Sequence, residues 1–167
     1  MRCVDLNGGV SRMNDIQKNK ELCEKYPFLI PRNVWTDKIS EDYNYSWTRL
    51  DDLEPGWRIA FGEQLCEELK DALAKADYVD KFKFSQIKEK WGALCLYNFG
   101  CNQEAWDVIH KYEKLSRYIC GHCGKPATKV STGWIYPYCD ECAERFAKYK
   151  YFADINEFYR SDGDGNS

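Results

Sequence analysis

Two cysteine pairs are the residues in this chain whose type and spacing best suit chemistry. Cys120-Gly-His-Cys123 is followed by fifteen residues and then Cys139-Asp-Glu-Cys142. Two thiols three positions apart on a tight turn point their sulfurs at one place. A hairpin of this length returns the second pair to complete a tetrahedron. The spacing therefore predicts one zinc ion held by Cys120, Cys123, Cys139 and Cys142 in a ribbon. Zinc over iron rests on ligand type and on this spacing. Gly121 and Gly124 suit the knuckle, where the backbone must bend and its amides can donate to thiolates. His122 lies inside the knuckle and is the weaker candidate beside four thiols. Four protein ligands leave no coordination position for a substrate water, so the metal argues for folding and against catalysis.

The remaining chemistry is thin. His110 and His122 are the two histidines, and neither has a sequence partner that would make a triad. His110 reads as a helix-surface residue. Glu67 and Glu68 diverge by about 100° on a helix and read as a solvated face. Asp51-Asp52 precedes Pro55 and reads as a capping cluster before a two-metal nuclease site. Gly8-Gly9 has neither the lysine nor the strand–helix context of a phosphate loop. The expectation is a protein that is not an enzyme.

The elements around the cysteines follow from periodicity and punctuation. Residues 1–13 are expected to be a flexible N-terminus, with Asn14 capping a helix to about Lys25 that ends at Tyr26-Pro27. Residues 26–56 lack periodicity and carry Phe28, Trp35, Tyr43, Tyr45 and Trp47, an irregular segment pinned by aromatics. Glu54-Pro55-Gly56 is a turn signal. An amphipathic helix from about Trp57 to Ala76 buries Phe61, Leu65, Leu69 and Leu73. Strands at Lys81–Lys88 and Leu94–Phe99 form a hairpin about Trp91-Gly92, and Ile87 is out of phase with Phe82 and Phe84, which points to a bulge. Asn102 caps a second long helix to about Tyr118, buried along Val108, Ile109, Tyr112, Leu115 and Ile119. Ribbon strands are expected at Ala127–Ser131 and Trp134–Tyr138, then a closing helix from Ala143 to about Tyr159.

The fold class is thus α+β: two long amphipathic helices with a β-hairpin, plus a C-terminal four-cysteine zinc ribbon and a closing helix. The division is a flexible stretch 1–13, a body 14–119, a ribbon module with closing helix 120–160, and a disordered tail 161–167.

Composition narrows the function. The net charge is −3, with nine basic and ten acidic side chains in residues 1–60, nine and ten in 61–119, and six and seven in 120–167. Neither a basic footprint for nucleic acid nor an acidic imitation of DNA is present in any third of the chain. On the ribbon, Lys125 and Lys129 accompany Trp134, Tyr136 and Tyr138, which is rich in rings and poor in charge for phosphate contacts. Aromatics make up 16% of the chain, and any rings left over from the core would favour a protein-binding face. Trp134, Tyr136 and Tyr138 are the candidate partner contacts, with the aromatics of residues 35–47 as the alternative. The N-terminus lacks an apolar signal core, and nothing approaches the roughly 18 apolar residues of a membrane span. The five other cysteines, Cys3, Cys23, Cys66, Cys95 and Cys101, share no spacing. They read as reduced thiols of a cytoplasmic protein.

Particular motifs carry a family resemblance. Tyr26-Pro27-Phe28-Leu29-Ile30-Pro31-Arg32, Gly56-Trp57-Arg58 with Phe61-Gly62-Glu63-Gln64, Gln86-Ile87-Lys88-Glu89-Lys90, and the ribbon with Ser131-Thr132-Gly133-Trp134 resemble small phage- and prophage-encoded proteins of Gram-positive bacteria. The resemblance spans about residues 14–145. The chain is also similar to zinc-bearing type II-A anti-CRISPR proteins, which bind and inhibit Cas9 and are not enzymes. This implies a host-protein partner, Cas9 or its guide-RNA complex, and a blocked step such as DNA loading. A phage nucleic-acid-binding or replication accessory protein is the alternative, and a hydrolase comes third.

Overall fold

The computed structural model describes residues 12–163. Expectations for residues 1–11 and 164–167, Cys3 among them, lie outside the described residues. Helix α1, Arg12–Lys25, begins two residues before the expected Asn14 cap. Pro27–Leu29 and Arg49–Asp52 are single 3-10 turns. The second is closed by a capping box: Thr48 N donates to Asp51 Oδ2 at 2.6 Å, and Leu50 N donates to the Thr48 hydroxyl at 3.2 Å. Asp51 therefore serves the backbone, and it also pairs with Arg58.

The expected helix from Trp57 to Ala76 is built in three pieces. Helix α2, Pro55–Trp57, starts with proline at its first position, where a missing N–H costs nothing. A π turn follows at Arg58–Gly62, and α3 continues through Glu63–Ala74. Strands β1, Lys83–Lys90, and β2, Ala93–Phe99, pair antiparallel. The register slips between Phe84 and Gln86, leaving Ser85 as the extra residue and returning Ile87 to the buried face with Phe84. Helix α4, Gln103–Ser116, is capped by Asn102, whose side chain accepts from Ala105 N. It lies along the free edge of β2. Leu94 N donates to Ser116 Oγ at 2.8 Å and Leu96 N to Glu113 Oε1 at 2.8 Å, which satisfies amides that an open edge would leave unpaired.

The largest core runs from Leu22 to Tyr112 and includes Trp57, Leu69, Leu73 and Ile109, each with no exposed surface. Lys111 bridges α4 to Glu68 on α3 at 2.6 Å.

The C-terminal third departs from expectation. Strands β3, Lys129–Ser131, and β4, Pro137–Tyr138, form the ribbon hairpin, and helix α5 spans only Asp140–Phe146. The single closing helix from Ala143 to Tyr159 is not formed. Strand β5, Phe152–Asp154, instead adds to the other edge of β3, and helix α6, Ile155–Gly163, follows. A two-stranded ribbon is marginal alone, and a third strand covers an edge that would otherwise be bare. Asp154 ends the strand and begins α6, its Oδ1 accepting from Asn156 N at 2.9 Å. Helix α6 reaches Gly163, so the tail expected to be disordered from residue 161 is helical over its first three positions.

Candidate metal centre

The first knuckle is shaped by backbone hydrogen bonds around Cys120. Gly124 N donates to Cys120 O at 2.9 Å and Cys120 N to Lys125 O at 2.8 Å. Gly124 stands at φ +78°, a conformation side chains resist, which is why glycine occupies it. The second pair straddles the start of α5: Cys139 occupies the N-cap and Cys142 the first turn. Lys125 joins the two knuckles through Glu141 at 2.8 Å.

All four sulfurs lie within 4.8 Å of one another, and Cys123 Sγ is 3.5 Å from Cys139 Sγ. That is far beyond a disulfide bond of about 2.05 Å. It is close to the roughly 3.8 Å edge of a tetrahedron with metal–sulfur bonds of about 2.3 Å. Cys120, Cys139 and Cys142 are buried and Cys123 is half-buried. Burial opposes the Cys139 thiolate, but the Cys142 amide and then the Cys123, Cys142 and Cys120 thiols outweigh it, and the thiol sits below its ordinary value. In donor type, number and separation the four cysteines fit a tetrahedral metal ion.

Around the sulfurs stands a wall of rings. His122 stacks on Phe146 at 4.9 Å and lies 5.3 Å from both Tyr136 and Tyr138. Burial pushes the His122 imidazole below its ordinary value, favouring the neutral ring. It is outside the sulfur cluster. Tyr136 and Tyr138 are 7% and 2% exposed, so the structure corrects their assignment as partner contacts: they are core. Trp134, at 68% exposure, is open to a partner. Of the alternative group, Trp35 is 93% and Trp47 41% exposed, and Tyr43 and Tyr45 are half-buried against each other. His110 lies on the exposed face of α4 beside Trp106.

The centre is tied to the body by Glu54 and Gly56, which read in the sequence as a turn, and by Trp57, which reads as a helix start. Gly56 N donates to Gly121 O at 2.6 Å, Trp57 Nε1 to Ile119 O at 2.9 Å, and the Tyr136 hydroxyl to Glu54 Oε2 at 2.6 Å. Trp57 also stacks on Tyr136 at 6.4 Å. A Cβ on Gly56 would press into Cys120 O and lie 2.6 Å from Gly124 N, so two backbones meet where no side chain fits. The sequence signal, a Gly-Trp pair after proline, is real but does not say what approaches it.

No family model, curated protein or solved structure matches this chain. The functional reading therefore stands on the site and its surroundings. The other cysteines form no second cluster with metal-ligand geometry among the described residues. Cys23 and Cys66 are buried, Cys95 and Cys101 half-buried, and all four are free thiols. No described helix is long and apolar enough to cross a membrane.

Proposed function

We propose that this chain is a non-enzymatic binding protein of the bacterial cytosol, braced by one structural zinc ion, that inhibits a host defence protein by covering part of its surface. The observation that supports this is the closed donor set. Four thiol ligands, three of them buried, are bolted through Gly121 and Ile119 to the body at Gly56 and Trp57. Zinc, when bound there, supplies cross-linking energy that a module with so small a core cannot find elsewhere. Thiolate softness and the ribbon spacing favour it over iron. Exposed Trp134 and Trp35 supply rigid amphipathic area for a partner.

The resemblance read in the sequence supports Cas9, alone or with guide RNA, as the partner and a step such as DNA loading as the one blocked. Purified zinc-loaded protein should retain Cas9 on a column and suppress DNA cleavage by the guide-RNA complex. Loss of retention with intact cleavage across several Cas9 orthologues would remove this partner while leaving the zinc assignment untouched.

A further inference from the structure

Two tryptophans far apart in sequence meet at one cleft. Trp91, at the tip of the β1–β2 hairpin, and Trp134, at the tip of the ribbon hairpin, line a cavity of about 280 Å³ together with Glu89, Lys90 and Ile135. They are 72% and 68% exposed, so neither ring is there to fill the core. Trp91 also sits at φ +55° with Gly92 at +76°, the first central position of a tight hairpin turn that asparagine would occupy with less strain. Backbone strain of this kind is concentrated at ligand clamps.

Beyond Lys90 and Trp91, which belong to both hollows, the surface continues into a second one of about 390 Å³ along α4, where His110, Lys114 and Arg117 stand. Among the described residues no carboxylate pairs with Lys90, Lys114 or Arg117, although the Arg117 guanidinium lies over the Tyr159 ring at 5.7 Å. The two acids in these walls are already engaged by backbone: Glu89 accepts from Gly92 N at 2.7 Å and Glu113 from Leu96 N at 2.8 Å. Open indole faces beside a row of cations without carboxylate partners are what a single strand requires, rings for bases and cations for phosphates.

We infer that this groove binds single-stranded nucleic acid, bases against Trp91 and Trp134 and backbone along Lys90, Lys114 and Arg117. The inference does not rest on the proposed inhibition of a host protein, although the two readings share Trp134. It was hidden in the sequence because the rings come from β1–β2 and the ribbon while two of the three cations come from α4 and its C-terminal end. No single segment looks basic.

The test uses the zinc-loaded full chain, with labelled oligothymidylate and oligouridylate of about twelve residues and a duplex of the same length. Either single strand should bind, quench tryptophan emission and outcompete the duplex, and the tighter one names the nucleic acid. The affinity should fall with salt at a logarithmic slope near −2, from about three phosphate contacts at roughly −0.7 each. W134A and W91N should each weaken binding about tenfold or more. W91N is the decisive variant, because asparagine suits the turn and the protein should melt no lower than the parent while losing affinity. K90E with K114E should flatten the salt slope. Several results overturn the inference: no binding of either strand at low salt, W91N and W134A binding as well as the parent, or capture of an uncharged proline-rich peptide without any oligonucleotide. Dimerisation that W134A abolishes would equally reassign the cleft to a second copy.

Discussion

At the scale of single residues, the metal centre depends as much on glycine as on cysteine. Gly56 and Gly124 face each other closely enough that a methyl group on either would meet the other's backbone, at 2.6 Å from Gly56 to Gly124 N and 2.7 Å from Gly124 to Gly56 O. Backbone cannot step aside as a flexible side chain can. G56A should cost about 3 kcal/mol, at the upper end for overpacking, and lower the melting temperature by roughly 6–12 °C. A calorimetric shift under about 1 °C would mean that the two backbones are not in contact. The ligands are a separate case. C120S with C123S should lose bound zinc by metal analysis and lose the near-ultraviolet dichroism of Tyr136 and Tyr138, which pack on the sulfurs. Retained zinc would refute the ligand set. The four cysteines could be read from sequence because their spacing is local and their chemistry specific. Glu54, Gly56 and Trp57 could not, because their partners Tyr136, Gly121 and Ile119 lie more than 60 positions away. For the same reason Tyr136 and Tyr138 look like surface rings in sequence, and only the pairing of β3 and β4 turns them inward.

Elements show where periodicity decides and where it does not. Helices α3 and α4 were legible because each carries an apolar stripe long enough to outvote its neighbours. The region after Cys142 was not. Phe146, Tyr149, Phe152 and Phe158 satisfy a helical spacing, but Phe152 is worth more as a residue of strand β5 paired to β3, packed at 5.1 Å from Tyr138. The β1–β2 turn carries the opposite lesson, since Trp91 is the wrong residue for it. Replacing Trp91 by Asn should stabilise the folded protein by about 1 kcal/mol through relief of the left-handed strain, read as a higher urea midpoint with unchanged slope. A lower midpoint would show that Trp91 contributes packing. Between α3 and α4, the Lys111 ammonium holds the Glu68 carboxylate below its ordinary value of 4.5, against a smaller opposing effect of burial. A lowered folded value means that the unfolded chain takes up the proton first. The contribution is therefore complete above that ordinary value and is lost as the pH falls through the lowered one. E68Q should show a shallower loss of stability than the parent across that acid range. Parallel curves would show that the Glu68–Lys111 pair contributes nothing.

Across the whole molecule, the body and the metal centre have separate cores joined at a narrow seam. The largest cluster draws on residues 22 to 112 alone, whereas the one around the sulfurs runs from Cys120 to Ala143 and counts three of the four cysteines among its six buried members. A core that consists half of metal ligands has little left to fold around once the metal is gone, and the ribbon's other cluster, Ala127, Val130 and Ile155, is small. The body keeps Leu65, Leu69, Leu73, Leu94 and Ile109 whatever happens at the thiols. Removing zinc with a strong chelator at neutral pH should therefore abolish the ribbon while leaving α3 and α4 helical. Trp57 reports the seam, being fully buried with its indole N–H on Ile119 O and its ring against Tyr136. Among six tryptophans it can be isolated by comparison with W57F. Its emission should shift to the red on chelation, as the seam opens to water, and return when zinc is restored. Far-ultraviolet dichroism should keep most of its helical signal through the same cycle. Complete loss of helix on chelation would mean that the metal holds the body as well, and the two cores would have to be treated as one cooperative unit. An unchanged Trp57 spectrum, with zinc demonstrably removed, would mean that the thiols alone hold the knuckle in place against Gly56.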